Sequence, residues 1–571
     1  MGAFRTEWDT EANPRYDVWT TTNGGEILPG ILTPFAATLY NAMDHRSLSE
    51  LMKTYPTGKR VKIFQPPIGN FFGITAGRLT LNVGFSVAAM SCLDRDIAAA
   101  MAGQFFQGSD DALRYLVDAP DAEHEAARAV ATAQREGAER ESRAIQEALY
   151  EERMTDQAQQ DRALPLKKAW KRLHDLMPEV LDLLNRHYVV STAAGEMQVR
   201  LAGVIAAGGG DPGAIVGLCS GLGNVESSKP ALRLYELAAV ARRYASVRKV
   251  VEAGDADAVL AALADPPDKG WQAFADEWDE FIFRYGFRVQ GEADPTVPDW
   301  SEDPTFVVSQ VRSMMALTPA DSPAAHIKKA AASRVKLEKA VRASLQPAVR
   351  PAYDAALAEA QRFTAMRELT KAVWVLSTRR LRPPLLAVAD GLVAGGHLKR
   401  PDDMLYCTYQ EVAEMVKGHP VSEATAIARR KRQRAQAAEY TLPDAWIGTI
   451  APTKRAKVVE TTALTGMGVS AGEATGRARI ILNTEAAFSR DIEPGDVLVA
   501  PFTDTPWTPL FIPAAAVVVE TGGMLSHAAT VAREFGIPCV VLVHDATRII
   551  REGDLVRVDG AAGTVTVVER A

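Results

Sequence analysis

The sequence changes character near residue 450, and this change most constrains the fold. Before it, long stretches are alanine-rich with helical periodicity. After it, short apolar runs alternate with turn residues. With 571 residues, the chain is too long for one ordinary domain. The expected fold class is multidomain: a mainly α-helical N-terminal region followed by a small α/β domain. The expected boundaries are 1–440 for the helical region, 441–461 for a linker containing Pro443, Gly448 and Pro452, and 462–571 for the α/β domain.

Within the helical region, residues 122–162 are strongly charged, good helix formers with few large apolar residues. They read as exposed helix, a protruding pair or lid. Residues 164–187 and 354–395 carry more Leu, Val and Trp and should pack in a core. Breaks are expected at Gly208–Gly213, Pro266-Pro267 and Pro383-Pro384. The run Arg429-Arg430-Lys431-Arg432-Gln433-Arg434 reads mainly as a solvated helix face, with nuclear targeting or nucleic-acid contact as the alternative.

In the α/β part, strands are expected at 476–482, 497–500, 515–520, 539–543 and 555–558. A helix is expected over 526–534, ended by Gly536 and Pro538.

The formal net charge of -7 argues against bulk nucleic-acid binding, which needs a basic face. Cys92, Cys219, Cys407 and Cys539 are far apart, so neither a disulfide framework nor a zinc site is expected. Isolated thiols fit a reducing cytoplasm. The first residues lack the apolar core of a signal peptide, and no run approaches the length of a membrane span. The expectation is a cytoplasmic protein that binds neither membrane nor nucleic acid.

The informative segment is Thr521-Gly522-Gly523-Met524-Leu525-Ser526-His527. It follows an apolar strand and opens a helix. Two glycines let backbone N–H groups approach an anion, and a helix start adds unpaired donors and a positive dipole end. Ser526 is an N-cap or a hydroxyl donor to the same anion. Arg533, six residues on, is a candidate cation for it. His527 would then sit where a phosphoryl group is cradled. An imidazole titrates near neutral pH, and its free lone pair can attack phosphorus. A purely structural helix-start histidine is the competing reading.

Residues 466–568 resemble the mobile phosphohistidine domain of the phosphoenolpyruvate-utilising enzymes. The resemblance rests on GVSAGEATGRARII (468–481), PGDVLVAPFTDTPWTPLF (494–511), AAAVVVETGGMLSHAATVAREFGIPCVV (514–541) and GDLVRVDGAAGTV (553–565). It implies a swivelling domain whose histidine, here His527, is charged at one site and discharged at another. Thr521, Gly522, Gly523 and Ser526 fall on its motif positions.

Earlier pieces resemble the acceptor-binding region of the rifampicin phosphotransferase type: WTTTNGGEILPGILTPF (19–35), AGRLTLNV (76–83), GLGNVESSKP (221–230), RYGFRVQGEADPTVPDWSEDP (284–304) and LKRPDDMLYCTYQEV (398–412). The family usually has Gly-His-Arg where this chain has Gly286-Phe287-Arg288. Nothing in the chain resembles an ATP-grasp domain or a phosphoenolpyruvate-binding barrel.

The resemblance therefore implies the split arrangement of phenylphosphate synthase. ATP and Mg2+ would be held by a separate ATP-grasp subunit, in dikinase-type chemistry. His527 would pass the phosphoryl group to a small hydroxylated acceptor. A phenolic or aromatic alcohol comes first, a rifamycin-like antibiotic second. A non-catalytic, ligand-binding or regulatory phosphoprotein is a different class of answer.

Other residues carry paired readings. Arg288, Glu292 and Phe287 would contact the acceptor or phosphate, or Arg288 and Glu292 form a buried ion pair. Arg78 has the same two readings. Asp402 and Asp403 cap a turn or bind a metal, the first being preferred, and no metal site is expected. Asn23 and Glu26 meet the acceptor or merely form a turn. Glu226 and Lys229 are similar. Trp19, Trp271, Trp300 and Trp374 read as core or pocket wall.

Overall fold

The computed structural model describes residues 4–22, 27–105, 110–419, 424–483 and 492–571. Asn23 and Glu26 lie outside the described residues. The chain divides into two compact units. One comprises Met1–Val199, Ala293–Thr296 and Thr370–Lys457; the other comprises Arg200–Glu292, Val297–Leu369 and Val458–Ala571. The N-terminal region is mostly helical and the C-terminal part is an α/β sheet domain. Among the described residues no helix is long and apolar enough to cross a membrane.

The first unit sets helices around a small antiparallel sheet. Its strands are β1 (Val18–Thr20), β2 (Phe72–Thr75), β3 (Arg78–Asn82) and β5 (Ala445–Ile447), in the order β2-β3-β1-β5. The segment read as a linker thus contributes a sheet strand, with Trp446 opposite Trp19. It also holds a two-stranded ribbon of β4 (Tyr440–Thr441) and β6 (Thr453–Lys454).

Residues 122–162 are helical and exposed at most positions, as expected, but the first two helices do not protrude freely. Helices Asp121–Glu136 and Ala138–Arg153 bury one face each, through Ala127 and Ala131, and through Ser142, Leu149 and Tyr150. Arg60 bonds Glu123, and Arg135 pairs with Glu196 at 2.8 Å. Small side chains let these helices pack closely without a large apolar stripe.

The basic run lies on helix Ala424–Ala437, and part of it is paired within the unit. Arg430 holds both oxygens of Glu411, at 2.7 and 2.8 Å, and Lys431 reaches Asp403 at 2.8 Å. Asp403 is therefore the ion partner of a lysine in a short 3-10 turn, Pro401–Tyr406. Arg78 donates to the carbonyls of Ala76, Ala437 and Tyr440, and burial depresses its pKa to about 10.

The second unit joins a helical array to the α/β domain. Its helices begin with side-chain caps where the sequence supplies them: Asp268 accepts from Gly270 and Trp271, and Ser322 from Ala325. The remaining strands are β7 (Ala463–Thr465), β8 (Met467–Ser470), β9 (Glu473–Ile480), β10 (Val497–Ala500), β11 (Ala516–Val519), β12 (Cys539–Val541), β13 (Leu555–Asp559) and β14 (Thr564–Glu569). They form one sheet in the order β7-β14-β13-β9-β10-β11-β12-β8.

Strands β9, β10, β11 and β12 are mutually parallel and the flanking strands are antiparallel. Parallel strands are covered on both faces, which is why β10 and β11 read as unbroken apolar runs. Val497, Val499, Ala516 and Val518 pack into one core, Leu498, Ala500, Val517 and Val519 into another. The second core is continuous with Trp271, Phe281, Trp300 and Met314 of the helical array.

Candidate functional site

His527 is the first residue of helix His527–Phe535, which connects β11 to β12. The loop before it, 520–526, and the loop after β10, 501–508, both lie at the carboxyl ends of adjacent parallel strands. That is where open α/β sheets place their sites. Thr521 Oγ1 ties the two loops together by donating to the Pro501 carbonyl at 3.0 Å.

The helix start is built as its residues dictate. Ser526 is extended, at φ -65° and ψ 162°, and its hydroxyl oxygen accepts from Ala529 N–H at 3.2 Å. Ser526 N–H donates to the Gly523 carbonyl at 3.0 Å, closing the turn. Gly522 sits at φ +130°, a conformation that a side chain opposes. The helix ends at Gly536, which is left-handed at φ +67°.

The His527 ring is buried, 4% exposed. Its Nε2 lies 3.5 Å from Thr508 Oγ1, and Phe511 meets the ring edge-on at 6.0 Å between centroids. The same loop reaches the 286–292 segment. Thr505 Oγ1 donates to Glu292 Oε2 at 2.9 Å, and Gly291 N–H donates to Asp504 Oδ2 at 2.6 Å. Arg288 Nη1 holds the other Glu292 oxygen at 2.5 Å, with both residues buried. The Arg288 guanidinium lies 4.6 Å over the Phe287 ring. Through the 504–508 loop, two sets of residues singled out in the sequence meet: the 287–292 segment and the His527 turn.

Two family models match the chain. Rifampicin phosphotransferase fourth domain covers residues 187–368, and PEP-utilising enzyme, mobile domain, covers 492–563. A rifampicin phosphotransferase of Streptomyces sp is 32% identical over 351 residues, and that of Bacillus subtilis is 30% identical over 357. Each alignment takes 60% of this chain and 40% of the relative. The prodigiosin synthesizing transferase PigC of Serratia marcescens is 29% identical over 371 residues, covering 61% of this chain and 39% of its own. The chain thus spans about 40% of the length of these relatives.

Arg533 does not extend a free guanidinium from the His527 helix. It is 6% exposed; its Nε donates to the Val469 carbonyl at 2.7 Å and its Nη1 to the Met524 carbonyl at 2.8 Å. Burial lowers its pKa to about 10, so it stays cationic at neutral pH. It anchors the glycine loop from behind. Arg78 belongs to the other unit, and the donors described above go to backbone carbonyls there. Glu226 and Lys229 form an ion pair at the start of helix Lys229–Arg243.

Sequence reasoning missed Asp504, Thr505 and Thr508. Their signal was present in the TDTPWTP stretch, where three hydroxyls, a carboxylate and two prolines crowd one turn after an apolar strand. Among the described residues no group of three or more His, Cys, Asp or Glu could hold a metal ion.

Proposed function

We propose that this chain is a phosphotransferase component that relays a phosphoryl group through His527 to the hydroxyl of a small acceptor. The observation that carries the reading is the position of His527. It opens a helix behind a glycine turn, with its Nε2 toward Thr508 on a loop that also bonds Glu292. The mobile-domain match over this segment and the rifampicin-phosphotransferase matches supply the class of chemistry.

The imidazole nitrogen forms a P–N bond to the β-phosphorus of ATP as the bond from that phosphorus to the AMP oxygen breaks, and water then releases the γ-phosphoryl group as inorganic phosphate to leave a phosphohistidine. In the second half, the acceptor oxygen forms a P–O bond, the P–N bond breaks, and the acceptor proton leaves to a base or water. The amides of 522–525 and the helix start would stabilise the charge on the phosphoryl oxygens. Ser526 fixes that helix start and Arg533 fixes the Met524 carbonyl behind it. In this reading an ATP-grasp unit on a separate chain charges His527 with ATP and Mg2+, in dikinase fashion. The Mg2+ would neutralise nucleotide phosphates there.

The acceptor is a phenolic or other aromatic alcohol. Phe287 occupies the place where the family usually has histidine, and an acidic phenol needs less help in losing its proton. A rifamycin-like acceptor is the second reading, favoured by the likeness to rifampicin phosphotransferases.

The test mixes purified chain with ATP labelled in its β-phosphate and a candidate ATP-grasp partner sought among the neighbouring genes. Acid-labile label should appear on the wild type and be absent from His527→Ala. Label that persists in His527→Ala sinks the reading. A panel of phenol, substituted phenols and rifampicin should then discharge the labelled chain. If none does, the protein is better read as a regulatory phosphoprotein.

A further inference from the structure

The C-terminal end of the His527 helix is held as firmly as its start. Arg533 and Glu534 meet the GLGNVESSKP segment, which the proposed chemistry leaves without a role. Gly221 N–H donates to the Arg533 carbonyl at 3.2 Å. Leu222 N–H donates to Glu534 Oε2 at 2.8 Å, and Gly223 N–H to Glu534 Oε1 at 2.6 Å. The His326 ring bonds the backbone of Phe535. Three successive amides therefore converge on the negative end of a helix and on one carboxylate.

The receiving loop is shaped for this contact. Gly221 and Gly223 are left-handed, at φ +57° and +79°. A Cβ on Gly221 would stand 2.5 Å from the Ala331 nitrogen, so only glycine fits there. Glu534 is 1% exposed although it comes from a stretch over 300 residues further along the chain.

We infer that Glu534 is a positioning residue: it latches the His527 helix into the Gly221-Leu222-Gly223 amide nest and so fixes where His527 is presented to the acceptor region. The inference rests on the proposed relay, in which the domain must dock and leave. Burial raises the pKa of Glu534, while the two amides and the nearby Arg334 oppose that shift. The ionised carboxylate pays a desolvation cost in the docked state that it recovers in water. A contact of that kind holds geometry yet releases, as a relay requires.

Hydrogen exchange on the full chain, without nucleotide or acceptor, separates this idea from the chemistry of His527. Glu534→Gln keeps the shape but leaves one acceptor oxygen and turns an NH2 toward an N–H donor. Amides 221–223 should exchange about tenfold faster than in wild type, while those of β10 and β11 keep their protection. Gly221→Ala attacks the same contact from the other side and should speed exchange at 533–537 in the same way. Unchanged exchange at 221–223 in Glu534→Gln overturns the latch. So does a parallel loss of protection in β10 and β11, which would mean that Glu534 only stabilises its own domain. Loss of His527 labelling leaves these outcomes unaffected.

Discussion

Thr505 Oγ1 donates to Glu292 Oε2 at 2.9 Å, and the opposite oxygen of the same carboxylate takes Arg288 at 2.5 Å. Of the two readings open for Arg288 and Glu292, the geometry is that of a buried ion pair, with side chains 2% and 3% exposed. Removing one partner takes a counter-charge out of a buried ion pair. Glu292→Gln should cost about 3–5 kcal/mol in urea unfolding, because Arg288 loses its counter-charge. The double change Arg288→Met with Glu292→Leu should cost less than either single truncation. A double variant as unstable as the sum of the two singles would show that the pair is not coupled.

Gly522 gives a sharper test of the loop than of the fold. Its φ of +130° opposes a Cβ, and strain of this kind costs about 1–3 kcal/mol. The turn carries His527, so that strain should be relieved by moving the turn rather than the sheet. Gly522→Ala should keep its circular dichroism spectrum and lose at least about tenfold in the rate of acid-labile labelling. Labelling at the wild-type rate would mean that the exact path of this turn is unimportant.

Much of the α/β domain was legible because its signals are local. The runs VLVA and AVVV are strands since parallel strands bury both faces, and Ser526 and Gly536 mark the helix ends by their own chemistry. Strands β7, β8 and β14 escaped, as a three-residue strand, a strand interrupted by Gly468 and a strand that is half exposed although paired on both sides carry weak patterns. The site was legible at His527 and its glycines. Its neighbours were not, because Thr505 and Glu292 are 213 residues apart and no periodicity connects them. Alanine faces are also hard to read: residues 122–162 are mostly exposed and carry few large apolar groups, so nothing in their pattern marks the face that Ala127 and Ala131 bury.

Arg533 also shows why spacing alone assigns the wrong partner to a side chain. Its fork bridges the Val469 and Met524 carbonyls, so it positions the loop that precedes His527. Lysine cannot make both bonds with the same geometry. Arg533→Lys should leave a buried carbonyl short of its donor and destabilise the domain by about 1–3 kcal/mol. Labelling of His527 should fall with it, and added salt or phosphate should not restore the rate. If Arg533→Lys kept full stability but weakened binding of inorganic phosphate, a direct anion contact would be the better account.

Asp44, in the first unit, predicts a pH dependence whose sign can be worked out. Its Oδ2 accepts from Phe71 and Phe72 N–H, each at 3.2 Å, but it is fully enclosed, and burial pushes its pKa from 3.8 up to about 8. Tyr188 shares this environment; burial raises its phenol strongly, and the charge of Asp44 adds to that shift. Between the unfolded and folded pKa values the native state keeps a proton that the unfolded chain has shed. Stability therefore falls as pH rises across that window, by up to about 1.4 kcal/mol per pH unit, and levels off above it. Asparagine keeps an acceptor for the two amides and has no proton to lose. Asp44→Asn should unfold at nearly the wild-type temperature near the lower end of the window, and at a progressively higher one than wild type as pH approaches about 8. A gap between the two melting temperatures that stays constant from about pH 5 to 8 would mean that Asp44 does not carry this proton.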